Sequence, residues 1–358
     1  MELKIIHTAD IHFDTPHKNL GDSSKSNIRR EDMYASFKKI IGLSKNADML
    51  IISGDLFDGN NVSKTTLEFL KEEFGKIPEV RVFICAGNHD YRGDESVYNT
   101  FDFGENVYVF DTDAQKLETD VADIYGVSFK TANDNRKLLE KISVSNPDKI
   151  NILVMHGNLS GADYNPVSLT DISNSGMDYI ALGHIHAYSG MLSSGRTFYA
   201  YPGCPEGRGF DELGEKGVIA LSLSKGNADA TFVPVCERMY LDLKVDITKA
   251  LGYDEILERI NEVYQGERHI YRIRLCGEAP FFVDTEVVRS KITGFMVEVF
   301  DETTAKIDLE KLKDEFTLKG LFAKYALEDR ENLSEEEFES ALKAGLSLIE
   351  KEERNENR

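Results

Sequence analysis

Five short clusters carry the side chains able to do chemistry: Asp10-Ile11-His12, Gly54-Asp55-Leu56-Phe57-Asp58, Gly87-Asn88-His89-Asp90, Met155-His156-Gly157 and Gly183-His184-Ile185-His186. Five of the eight histidines lie in them. The donors are imidazole, carboxylate and amide, without thiolate. That set suits Mn2+, Fe2+, Zn2+ or a similar divalent ion, not Cu(I) or an iron–sulfur cluster. One histidine beside one aspartate is more often structural than a ligand, but five such clusters would require five independent structural explanations. The donors outnumber what one ion with an open position can take. Two ions sharing a bridging carboxylate fit the count, and such pairs, about 3.5–4 Å apart, serve phosphate-ester hydrolysis.

Each cluster follows an apolar run that reads as a strand: 3–8, 49–53, 80–86, 150–155 and 179–182. The clusters therefore belong on loops at strand ends, where sites in sheet-based folds are built. Asp10 and His12, two apart in an extended segment, can point the same way, as can His184 and His186. Gly54, Gly87 and Gly183 permit tight backbone beside the ligands. Further strands are predicted at 107–110 and 124–127, with helices at 33–45 and 65–74. From about residue 183 the strands 187–192, 197–201, 217–223 and 230–235 come without long helices, so a largely antiparallel second half is expected. Sheets covered by helices, an α/β architecture, follow for residues 1–236. Residues 237–300 read as a small α+β unit with strands 240–245, 271–275 and 296–299 and a helix at 253–264. Residues 301–358 read as helical. Ser334 followed by Glu337 is a capping box, Phe338, Leu342, Gly345 and Ile349 share one helical face, and the tail 351–358 is expected to fray.

In order and spacing, the clusters resemble the calcineurin-like metallophosphoesterase superfamily, whose blocks are D-x-H, G-D-x-x-D, G-N-H-D/E, an isolated histidine and G-H-x-H. All are present over roughly residues 1–205. The connecting words HTADIHFD, SGDLFDGNNVS, AGNHD, VMHG, ALGHIHAY and YPGCPEGR look like the DNA-repair exonuclease branch, the SbcD-type nuclease subunits. The resemblance implies a four-layer α/β/β/α sandwich with a small capping domain at 237–300. It implies Asp10, His12 and His186 on one ion, Asn88, His156 and His184 on the other, and Asp55 between them. Mn2+ is the expected metal, with Fe2+, Zn2+ or Mg2+ as alternatives. Water activated by the ions would attack a DNA phosphodiester, with His89 as acid. Asp58 would hold the His89 tautomer, or else only cap its loop; where some archaeal and eukaryotic relatives carry histidine, this chain has the aspartate of the bacterial type. Asp14 and Asp90 read as cap or turn residues. The implied partners are double-stranded DNA, an SMC-like coiled-coil ATPase of the SbcC type docking on the helical segment, and a second copy in a homodimer. Double-strand-break repair is the implied setting. A phosphoesterase acting on a nucleotide, lipid or phosphoprotein would need the same metal site. A non-catalytic protein with a relic site would not need intact ligands and His89.

The chain has 63 acidic and 42 basic residues, a net charge of −21, which opposes non-specific adhesion to nucleic acid or anionic membrane. Lys25, Arg29, Arg30, Arg92, Arg196 and Arg208 lie near the clusters and are candidate contacts to the DNA backbone. Tyr91 and Tyr98 are candidates for stacking on bases. No apolar run reaches the ~18–20 residues of a membrane span. The N-terminus lacks the basic and apolar regions of a secretory signal. The four cysteines are widely spaced with no CxxC pair, so neither a zinc–thiolate site nor a disulfide scaffold is expected. Together these features predict a cytoplasmic protein with reduced thiols.

Overall fold

The computed structural model describes residues 2–17, 22–159, 161–279, 281–305 and 308–356. The chain divides into two compact units, Met1–Met239 and Tyr240–Arg358. The second takes in both the 237–300 and the 301–358 segments distinguished in the sequence.

The first unit is built on two six-stranded sheets. β1 (Leu3–Thr8), α1 (Ser23–Ser44), β2 (Met49–Ser53), α2 (Lys64–Gly75), β3 (Arg81–Cys85) and β4 (Val107–Val109) lay down the first sheet and its helices. β5 (Gln115–Glu118), β6 (Ala122–Val127), β7 (Ile150–His156), α3 (Leu169–Asn174), β8 (Tyr179–Gly183), β9 (Leu192–Ser194) and β10 (Thr197–Ala200) make the second. The hairpin β11 (Gly217–Ser224) and β12 (Asn227–Pro234) returns to the first. The strand orders are β12-β11-β1-β2-β3-β4 and β5-β6-β7-β8-β10-β9.

Side-chain alternation along the strands decides the layers. Leu3, Ile5, Met49 and Ile51 face Ile152, Val154, Tyr179 and Ala181 in a core between the sheets. Ile6, Leu50 and Ile52 point the other way, onto Phe37, Ile40 and Leu70 of α1 and α2. Leu153, Met155, Ile180 and Leu182 pack outward on Ile172 of α3 and on Leu138 and Leu139. The result is a four-layer α/β/β/α sandwich whose fourth layer is thin.

One strand expectation needs correction. The run 187–192 contributes only its last residue to a strand, β9, because the preceding residues carry the site loop. The strands after residue 183 are largely antiparallel, as expected: β9 pairs so with β10, β11 with β12 and β11 with β1, while β10 also pairs in parallel with β8. In the second unit all three strands of the main sheet run parallel.

That second unit contains β13 (Tyr240–Asp246), α4 (Tyr253–Val263), β14 (Ile270–Cys276), β15 (Glu278–Ala279), α5 (Thr285–Arg289), β16 (Met296–Asp301) and β17 (Thr304–Ala305). It closes with α6 (Leu309–Leu312), α7 (Leu318–Asp329) and α8 (Glu335–Glu356). The capping box forms: Glu337 accepts from the Ser334 backbone N–H at 2.9 Å, and Ser334 Oγ accepts from the Glu337 N–H at 3.3 Å. The helix runs on through the expected fraying tail to Glu356, and residues 357–358 lie outside the described residues. The apolar face of α8 is not free for a partner. Phe338, Leu342 and Leu346 bury against Phe282, with Leu309, Leu312, Phe322, Ala326 and Leu327 packed around them. Gly345 leaves the space that the Phe322 ring fills.

Among the described residues, no helix is long and apolar enough to cross a membrane.

Candidate metal centre

The parallel order of β1, β2 and β3, and of β7 and β8, brings the C-terminal ends of these strands to common sheet edges, and all five clusters sit there. Backbone hydrogen bonds tie the loops together. Asp10 N–H donates to Gly54 O, His12 N–H to Asp55 O and Gly157 N–H to Gly183 O. His184 N–H donates to the Asp10 carboxylate at 3.1 Å, which joins the first sheet to the second.

The convergence is not the simple alternation of extended segments. Asp10 (φ 52°), His12 (φ 54°), Asp55 (φ 52°) and His184 (φ 114°) all have positive φ, a costly backbone for residues with a Cβ that clusters at functional sites. Glycine is required next to them. Gly54 has φ 91°, and a Cβ there would collide with the His156 ring. A Cβ at Gly183 would collide with Ser53 O.

Hydrogen bonds fix the histidine tautomers. His156 Nδ1 lies 2.9 Å from Ser53 O, His12 Nδ1 3.1 Å from Asp58 Oδ1, and His186 Nδ1 2.6 Å from Glu212 Oε1. A carbonyl or carboxylate oxygen can only accept, so each Nδ1 carries a proton, and in the neutral ring each Nε2 keeps its lone pair. Burial holds His12 well below the usual histidine range and lowers the His156 pKa too, which favours the neutral rings. Their Nε2 atoms converge on further acceptors. His12 Nε2 is 3.3 Å from His186 Nε2, and His156 Nε2 is 3.0 Å from Asn88 Oδ1. Asp55 Oδ2 lies 3.6 Å from both His12 Nε2 and His156 Nε2. Asp10 Oδ1 is 3.7 Å from His186 Nε2, and His184 Nδ1 is 3.2 Å from Asn88 Oδ1. Burial raises the pKa values of Asp10 and Asp55. Imidazole nitrogens and an amide oxygen gathered around two buried carboxyls fit cations. Asp10, His12 and His186 form one group able to hold an ion, and Asp10, Asp55 and His156 another.

His89 stands over this cluster, 42% exposed, with Nδ1 3.4 Å from Asp58 Oδ1. Its ring meets His12 edge-on at 4.6 Å. The hydrogen bond to Asp58 raises the His89 pKa against partial burial. Asp58 is itself held well below the usual carboxylate range: its partial burial is outweighed by His12, His89 and Arg208. It therefore serves His12 as well as His89, not one ring alone. Asp90 is buried and accepts from the backbone N–H groups of Gly87, Leu56 and Phe57, locking two site loops together. Tyr98 is not available for base stacking, because it is buried and donates to Asp90 at 2.6 Å. Asp14 accepts from Ser63 and Thr66 at the start of α2.

The basic residues divide. Arg29 is fully buried, donating to Asp32 at 2.6 Å, Glu206 at 2.8 Å and Gly207 O at 2.6 Å, so it cannot contact DNA. Arg92 is half-buried and donates to the carbonyls of Val109 and Phe110, a loop tie. Lys25 is half-buried, while Arg30 and Arg196 are exposed. Arg208 lies inside the site, 3.3 Å from Asp58 and 3.2 Å from Glu212.

Glu212 had no legible signal. It is one acid in the loop joining β10 to β11, 26 positions beyond His186, with no periodic relation to any cluster. Tyr164, whose ring lies 5.1 Å from that of His184, was equally silent.

The chain belongs to the calcineurin-like phosphoesterase family, whose profile matches residues 3–188, and this makes it a metallophosphoesterase, of a family of metal-dependent phosphoester hydrolases. It is 29% identical over 302 residues to the uncharacterized metallophosphoesterase YhaO of Bacillus subtilis, an alignment covering 78% of this chain and 73% of that protein. It is 26% identical over 273 residues to the SbcD component of the SbcCD nuclease of Staphylococcus epidermidis, covering 65% and 70%. Among solved structures, TT1561 of Thermus thermophilus aligns with a TM-score of 0.40 at 12% identity, over 65% of this chain and 99% of that one.

Proposed function

We propose that this protein is a two-metal phosphodiesterase that cleaves DNA, a nuclease subunit of the SbcD type acting in double-strand-break repair. The observation that carries the two-metal reading is the Asp55 carboxylate, 3.6 Å from one histidine of each group. Asp10, His12 and His186 would hold one ion, Asn88, His156 and His184 the other, with Asp55 shared. Bound divalent ions, Mn2+ by preference, supply Lewis acidity at the phosphoryl oxygens and lower the pKa of water. The chain's own residues do the rest. Asp58 and Ser53 O orient His12 and His156. His89, exposed at the mouth and with its pKa raised by the hydrogen bond to Asp58, would donate a proton to the leaving oxygen. Arg208 presents positive charge beside these groups for a phosphate.

DNA as substrate is supported by the likeness to the staphylococcal nuclease component and by the connecting words around each motif. Residues 237–300 would cap the site. An SMC-like ATPase would dock on α7, where Leu318, Leu321 and Tyr325 are 59%, 50% and 61% exposed.

The test is hydrolysis of labelled duplex DNA and of bis-p-nitrophenyl phosphate with Mn2+, Mg2+ or chelator. Both substrates should be cut with Mn2+ and neither with chelator. An intact duplex beside a cleaved small diester would move the substrate to a nucleotide, lipid or phosphoprotein. Chelator-insensitive hydrolysis would remove the metal mechanism.

A further inference from the structure

We infer that Glu212 is the positioning residue that sets the tautomer and direction of His186, and that the loop between β10 and β11 exists in its present form to deliver it. The inference rests on the two-metal reading for its consequence, but not for its geometry.

His186 follows His184 on a short loop, and its side chain is 27% exposed where those of His12 and His156 are fully buried. His156 is fixed by a main-chain carbonyl and His12 by Asp58. His186 has neither. Its Nδ1 meets Glu212 Oε1 at 2.6 Å. An Arg208 Nη2 atom also lies 3.1 Å from that Nδ1, yet a guanidinium has no acceptor and the proton on Nδ1 leaves none there either. The arginine is therefore paired with Glu212 Oε1 at 3.2 Å. Among the described residues, Glu212 is thus the acceptor that explains the orientation of the ring, and with the proton on Nδ1 the Nε2 lone pair faces Asp10 and His12.

The carboxylate is itself built in. Glu212 is 5% exposed. Its other oxygen accepts from the Arg208 backbone N–H at 2.7 Å and faces Cys204 Sγ at 3.6 Å. The loop is anchored at both sides of it. Cys204 N–H and Lys216 Nζ donate to His186 O at 3.3 Å each. Upstream, Glu206 is buried on Arg29 and on Ser36 of α1. A carboxylate behind a ligating histidine fixes its orientation and raises its basicity, and losing it typically lowers metal affinity 10–100-fold.

The experiment uses the full chain and two variants, Glu212→Ala and Glu212→Gln. Nitrogen-15 spectra of the histidine rings, without added metal and above neutral pH, report the tautomer. Mn2+ titration by calorimetry reports each site. In the parent, His186 should carry its proton on Nδ1. Glu212→Ala should redistribute that tautomer and weaken one of two Mn2+ sites by about 10–100-fold, leaving the other unchanged. Glu212→Gln, whose amide oxygen still accepts, should restore most of both signals even if the alanine variant folds poorly. A parent His186 protonated on Nε2, or an alanine variant with unaltered tautomer and both affinities intact, overturns the inference. A parent with the Nδ1 proton that binds fewer than two Mn2+ ions overturns the two-metal reading instead, and leaves the positioning by Glu212 standing.

Discussion

His89 touches no other candidate ligand group through a short hydrogen bond of its ring. Its Nδ1 is 3.4 Å from Asp58, and much of the ring is open to solvent. Its backbone N–H, by contrast, donates to Asp55 at 2.9 Å, so main chain supports the centre while the side chain stays free to work on substrate. Replacing the side chain should therefore separate chemistry from metal binding. His89→Asn should keep the Mn2+ stoichiometry and cut turnover by about 10²–10⁴-fold, the range for a lost general acid. Turnover within a few-fold of the parent would take His89 out of the mechanism. Asp58 behaves differently because it also holds His12 Nδ1 at 3.1 Å. Asp58→Ala should weaken Mn2+ binding as well as turnover, which calorimetry on the two variants would distinguish.

At the scale of elements, the site depends on a buried ionic tie. Arg29 on α1 is fully enclosed and neutralises Asp32 and Glu206, and Arg238 reaches the same Asp32 at 2.7 Å. The Glu206 pKa is raised by burial, which Arg29 opposes. Removing the guanidinium leaves the buried Glu206 without its cationic partner and Asp32 with Arg238 alone. Arg29→Met should cost about 3–5 kcal/mol, the penalty for one partner of a buried pair. Urea unfolding would measure it, and a loss below about 1 kcal/mol, the level of an exposed pair, would show that the tie is dispensable. In the second unit, α7 packs Phe322, Ala326 and Leu327 inward, toward Phe338, Leu342 and Leu346 of α8. The other face of α7 is left with Leu318, Leu321 and Tyr325, spaced as neighbours on a helix.

For the whole molecule, on the proposed function, the balance of 63 acids against 42 bases governs how it would meet DNA. Isolated protein should bind duplex weakly and more weakly as salt rises, because each phosphate contact releases counterions. A partner that supplies positive surface would relieve this, and the exposed stripe on α7 is where we place it. Substituting Leu321 and Tyr325 together by Asp should abolish pull-down of an SMC-like ATPase. Because both side chains are exposed, stability should change by only about 0.5 kcal/mol per site, and hydrolysis of bis-p-nitrophenyl phosphate should be unaffected. Undiminished capture would exclude α7 as the docking face.

The sequence determined the family, the sandwich and the position of the clusters, because those depend on local order. Short apolar runs such as 3–8 and 49–53 mark strands buried on both faces, and the capping box at Ser334 needs only residues three apart. Tertiary structure decided what depends on distant residues meeting. It turned Arg29 from a candidate DNA contact into a buried tie by closing the β10–β11 loop over it, and it buried the capped face of α8 against Phe282. It bent Asp10, His12, Asp55 and His184 into positive φ, which the type of a residue with a Cβ does not announce. It also placed Glu212 behind His186. A hydrogen bond between residues far apart in the chain leaves no periodic trace in the sequence, since its geometry comes from the packing of the elements that carry each end.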